Sequence, residues 1–85
     1  MQNFITIPYL DVFDNPSSLT VAVSQISNIY HDADYCTFVT PIETIVFREG
    51  KDAGPIIYEC IKNAITSKPG IGIITVEFPF VVTQD

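Results

Sequence analysis

The chain reads as an α+β domain: an antiparallel sheet of about five to six short strands with one amphipathic helix packed on one face. Three observations predict this. Only one stretch, residues 52–67, carries a helical period. Short runs of two-residue alternation fill most of the remainder, and turn-forming residues punctuate those runs. Strands joined by short turns make an antiparallel meander, and a lone helix covers one of its faces. A small, partly open β-barrel with the helix across its mouth is the alternative. With 85 residues the chain forms a single domain, 1–85, without repeats or linkers.

Taken in order, Phe4–Leu10 is the first strand, with Ile5, Ile7 and Tyr9 on one face. Residues 11–18 form a loop around Asp14-Asn15-Pro16-Ser17, where Asp and Asn bond their own backbone and Pro sets φ. Val12 and Phe13 are the apolar residues of that loop. Residues 19–23 alternate as a second strand, and Ser24-Gln25 breaks the alternation with a bend or bulge. Asn28–His31, a polar turn at Asp32-Ala33-Asp34, and residues 35–40 make a hairpin. Residues 43–48 follow, with Ile45 and Phe47 on one face.

The helix presents Ile57, Cys60, Ile61, Ala64 and Ile65 to one side. Asp52 is placed to cap its start, Pro55 fits the first turn, and Lys68-Pro69-Gly70 ends it. Residues 71–82 then form the longest strand, with Ile74, Val76, Phe78, Phe80 and Val82 aligned on one face. Pro79 cannot donate to a ladder, so the strand lies at an edge there or leaves the sheet. The tail from Thr83 to Asp85 is expected to fray.

Composition bounds the function. Hydrophobic residues make up 47% of the chain and charged residues 16%, against about 25% charged in an average domain. A chain of this size buries roughly 60–65% of its unfolded surface, so part of the apolar excess faces outward or meets another chain. Self-association or a protein partner is therefore expected. The net charge is −6, with Arg48, Lys51, Lys62 and Lys68 the only basic residues. Nucleic-acid binding and anionic membrane surfaces both require clustered cations, so neither is expected. No apolar run reaches the length of a membrane span, and the first residues lack the basic region of a signal peptide. A cytoplasmic setting is expected.

Few constellations resemble chemistry. Asp32 and Asp34 share the spacing of the first calcium-loop ligands, but the loop's Gly and closing Glu are missing, so a solvated hairpin turn is expected. His31 has no nucleophile beside it in sequence. Gly70-Ile71-Gly72 follows the helix instead of preceding one, unlike a phosphate loop. Cys36 and Cys60 match no metal spacing and read as buried free thiols, with a strand-to-helix disulfide as the alternative. No catalytic residue, metal or cofactor is expected. Candidate interface residues are Phe78, Phe80, Val82, Tyr9 and Phe13, because aromatic side chains concentrate at interfaces. Candidate members of an acidic surface are Asp11, Asp14, Asp32, Asp34 and Glu43.

The opening Phe4-Ile5-Thr6-Ile7-Pro8 strand, the Ile26-Ser27-Asn28-Ile29 step, the Thr-containing hairpin and the helix over 52–67 form a layout. It resembles that of small, strand-rich, uncharacterised proteins encoded by tailed phages of marine bacteria. The resemblance covers residues 3–66 and carries over no catalytic residue. It implies a phage setting, in the virion or the host cytoplasm. The expected function is a non-enzymatic structural or interaction module, working as an oligomer, in the form of a virion or head–tail accessory component. The alternative is a small acidic inhibitor that binds a host protein by mimicking nucleic-acid charge.

Overall fold

Alternating β-branched and aromatic residues make the strands of this protein, and its one 3.6-residue period makes the helix. The computed structural model describes residues 3–66 and 72–85. In chain order these form β1 (Phe4–Leu10), β2 (Pro16–Ala22), a 3₁₀ turn (Val23–Gln25), β3 (Asn28–His31), β4 (Tyr35–Val39), β5 (Thr44–Arg48), α1 (Gly54–Ile65), β6 (Ile73–Thr75) and β7 (Thr83–Gln84). The seven strands build one mixed, mostly antiparallel sheet with β2 and β3 at its two ends. The α+β class stands as expected. The barrel alternative does not, because the sheet is not closed.

A simple meander is also overturned. The order is β2-β1-β7-β5-β4-β3, with β6 also paired to β1. β7 sits between β1 and β5, parallel to the former at Leu10–Thr83 and antiparallel to the latter at Arg48–Thr83. After α1 the chain returns along the inner edge of β1, and backbone groups there take up the pairing that an open edge would lack. Phe4 N–H donates to the Gly72 carbonyl, Val76 N–H to Thr6, and Leu10 N–H to Val82.

Of the expected long strand over 71–82, whose first residue lies outside the described residues, only Ile73–Thr75 forms a strand, and β7 follows just beyond it at Thr83–Gln84. Even-numbered residues of β1 turn their backbone groups toward β6 and β7, and Pro8 occupies one of those positions without an N–H. Pro79 lies in the returning segment between β6 and β7. With a donor missing on each side, the ladder opens after Val76 and closes again at Val82. The alternation persists through the gap: Val76 and Val82 are core residues, and Ile74, Phe78 and Phe80 pack partly against the core. Thr83 and Gln84 are paired instead of frayed, and Asp85 N–H donates to the Val46 carbonyl.

Other boundaries shift for local reasons. β2 begins at Pro16 instead of residue 19, because the Asp11 carboxylate accepts from both Phe13 N–H and Asn15 N–H and tightens the turn. The bend at Ser24-Gln25 is the 3₁₀ turn. Helix α1 starts at Gly54, and its N-cap is Ala53 without a side-chain cap bond. Asp52 is not the cap. Its φ of 64° turns the chain before the helix, and its N–H donates 2.8 Å to Asp34 Oδ1. Pro55 does lie in the first turn. The stop signal Lys68-Pro69-Gly70 lies outside the described residues.

The core joins Ile5 and Ile7 of β1, Cys36 and Phe38 of β4, Ile45 and Phe47 of β5, and Ile57, Ile61 and Ala64 of α1. The helix packs chiefly on β4, with β3 and β5 beside it. It thus covers one half of the sheet more fully than the other. On the β1–β2 wing, Leu19 and Val21 are only partly buried.

Candidate functional site

An opening in the surface lies where the β6–β7 segment leaves the sheet. It is an open cleft of about 600 Å³, lined mainly by apolar side chains. Pro8, Tyr9 and Leu10 form its sheet side, and Phe78, Phe80 and Val81 its returning side. Glu77 is the only carboxylate in the lining. Tyr9 stands edge-on to Phe47 with ring centroids 5.3 Å apart, so its ring is held by the core.

Of the expected interface residues, the structure brings Tyr9, Phe78, Phe80 and Val82 together at this cleft. Phe13 is at the tip of the β1–β2 turn and is 80% exposed. It belongs to the same end of the molecule, since Leu10 is registered with both Pro16, which closes that turn, and Thr83. Val82 also lines the cleft, but it is 1% exposed and packs into the core, so it forms the floor and offers little surface to a partner. The alternation of the last segment turns its neighbour Val81 outward, at 64% exposure. Sequence reasoning missed Val81, although the same period that aligned Val82 with the core predicts it. Ile42 in the β4–β5 turn, at 92% exposure, was missed as well, and a Pro-Ile turn carries no signal for it.

Four of the five acidic candidates, Asp11, Asp14, Asp32 and Asp34, lie in turns at one end of the sheet, where Leu10, Thr83, Arg48 and Tyr35 are in register across the strands, and Glu43 lies at the other end. Asp11 and Asp14 lie in the β1–β2 turn, Asp32 and Asp34 in the β3–β4 turn, and Glu43 in the β4–β5 turn. The whole length of β4 separates the last two turns, because they lie at its opposite ends. Several carboxylates are also occupied by backbone. Asp32 Oδ1 accepts from Asp34 N–H and Tyr35 N–H, each at 2.9 Å. The bonds from Tyr35 and then Asp34 hold its carboxyl below the ordinary value. Asp34 takes the Asp52 amide, and Gly54 N–H donates to the Ala33 carbonyl at 3.1 Å. The His31-to-Asp34 segment is thus the seat of the helix start.

His31 Nδ1 lies 3.0 Å from the Asp32 carbonyl oxygen, and the ring leans on Tyr58 at 4.8 Å. Both cysteines are free. Burial pushes the Cys36 thiol up to about 12, and it raises Cys60 too, with Glu59 adding to the effect. Neither is a thiolate nucleophile at neutral pH. Among the described residues no group of three or more His, Cys, Asp or Glu side chains could hold a metal ion. No helix among them is long and apolar enough to cross a membrane. The chain matches no family model, no curated protein and no solved structure.

Proposed function

We propose that this protein is a non-enzymatic interaction module that works as an assembly of copies. The single observation that carries the reading is the apolar end of the molecule. A cleft walled by Phe78, Phe80 and Tyr9 adjoins the exposed side chains of Val81 and Phe13. Aromatic and aliphatic groups at such a site lose unfavourable contact with water when a second surface covers them. A net charge of −6 keeps an apolar module soluble before it assembles. The concrete version is an accessory subunit of a virion or head–tail junction. It is supported by the resemblance over residues 3–66 and by the apolar end just described.

The test is absolute mass by light scattering after size exclusion, over a hundredfold range of concentration. The wild type should run as a multiple of 9.4 kDa that persists on dilution. Phe13→Asp combined with Val81→Asp should lower that mass. Both side chains are exposed, so the double variant should melt within about 1 kcal/mol of the wild type's stability. A wild type that is a 9.4 kDa monomer at every concentration overturns the reading.

A further inference from the structure

We propose that the cleft beside Pro8 binds a small organic cation, an ammonium carrying N–H donors on an apolar or aromatic body. The ligand sits inside the cleft and needs no second copy, so the site stands apart from the assembly surface at its rim.

The backbone ladder has a gap at this point. Val23 N–H donates to the Asn3 carbonyl and Asp11 N–H to the Asn15 carbonyl, so odd-numbered residues of β1 bond to β2. Even-numbered residues turn to the returning segment, where Phe4, Thr6 and Leu10 each hold a hydrogen bond. Pro8 is the even-numbered residue left over. Its carbonyl points into the opening, outside both the β1–β6 and the β1–β7 registers, and no described amide donates to it. Having no N–H, Pro8 gives nothing to the carbonyls across the gap. The opening is therefore short of donors, and a ligand that brings them complements it.

Charge selects the same ligand. No basic side chain lines the cleft, and Glu77 is its one carboxylate. Asp11 and Asp14 lie in the β1–β2 turn at this end of the sheet, and Arg48, also at this end, is engaged by Asp85 at 3.2 Å. The chain as a whole carries a charge of −6. Such a field draws cations and repels anions.

The walls choose between kinds of cation. A bare metal ion such as calcium takes about six or more oxygen ligands, which an apolar lining with one carboxylate does not provide. Tyr9, Phe78 and Phe80 instead offer aromatic surface, whose ring faces attract an ammonium and whose bulk receives its apolar body. The Tyr9 ring is already held against Phe47, so its ordering costs little on binding. The cleft of about 600 Å³ falls within the range of small-molecule sites.

The probe is phenethylammonium, with phenylethanol and phenylpropanoate as neutral and anionic counterparts of similar shape. Each is titrated into isotope-labelled full-length protein and followed by amide chemical shifts. The ammonium should give saturable shifts centred on Leu10, Thr75, Glu77, Phe78 and Phe80, and bind about tenfold more tightly than the alcohol. The anion should not bind. Glu77→Gln, at an exposed position, should weaken the ammonium about fivefold and leave the alcohol unchanged. To remove any cover by a neighbouring copy, the titrations are repeated on Phe13→Asp, whose exposed ring lies outside the lining. The site is overturned by shifts that saturate in neither protein or lie elsewhere on the surface. Equal affinity for the ammonium and the alcohol, or an ammonium affinity unchanged in Glu77→Gln, overturns it as well. None of these results alters the mass read by light scattering, so the assembly reading stands or falls separately.

Discussion

The two outer edges of the sheet differ in nearly every respect that governs strand pairing. At β3 the outward N–H of Ile29 is taken by the Asn28 side chain at 2.9 Å. The His31 ring folds against Tyr58 of the helix, and the Lys62 ammonium lies 5.9 Å from the same Tyr58 ring. The helix start is pinned to the β3–β4 turn through Asp34 and Ala33. At β2, on the wing the helix covers less, the strand is neutral, and Ser18 and Thr20 are exposed on the side away from β1. The contrast teaches that edge protection follows the helix. Where α1 sits, its side chains and the turn that seats it close the edge; on the far side of β2 no described strand continues the sheet.

The comparison can be broken most severely at Gly54. An added Cβ there would run into the backbone of Asp32 and Tyr35. Helix propensity alone favours Ala over Gly by up to about 1 kcal/mol, but a clash with backbone cannot be relieved by a rotamer change. Gly54→Ala should therefore cost about 2 kcal/mol and lower Tm by about 8–16 °C, read by thermal unfolding. An unchanged or raised Tm would mean the helix start is not seated as described.

A smaller effect sharpens the edge comparison itself. Asn28→Ala removes the partner of the Ile29 amide and should cost about 1 kcal/mol. Hydrogen exchange at Ile29 should speed up roughly fivefold, while the core amides of β4 follow only the global loss of stability. No change at Ile29 would show that the β3 edge is guarded by the helix side chains alone.

The smallest expected effect lies between the two edges, where β7 joins the halves of the sheet. Arg48 Nε is 3.2 Å from Asp85 Oδ1, with both side chains half-exposed. Such pairs contribute little in water, so Arg48→Ala should change stability by less than about 0.5 kcal/mol in a denaturant titration. A loss above about 1.5 kcal/mol would mean that the ion pair, and not the backbone ladder, holds the tail in the sheet.

What the sequence determined by itself is what repeats locally. The bounds of β1 and β3, the inward faces carrying Ile5, Ile7, Cys36, Phe38, Ile45 and Phe47, and the apolar stripe of α1 were all legible, because periods of 2 and 3.6 are written in neighbouring residues. Tyr9, Phe78 and Phe80 were legible as an apolar set for the same reason, and Val81 should have been. The tertiary structure alone decided the remainder. The last run splits because Pro8 meets it from another strand, a pairing that no window of consecutive residues contains. Asp52 looked like a cap, yet its φ of 64° and its bond to Asp34 come from docking the helix start on a distant turn. The same holds for the sheet edges. Asn28 and Thr20 are equally ordinary polar residues in a strand pattern, and only the tertiary structure sets α1 beside β3 and the wing of β1 and β2 on the other side of the sheet.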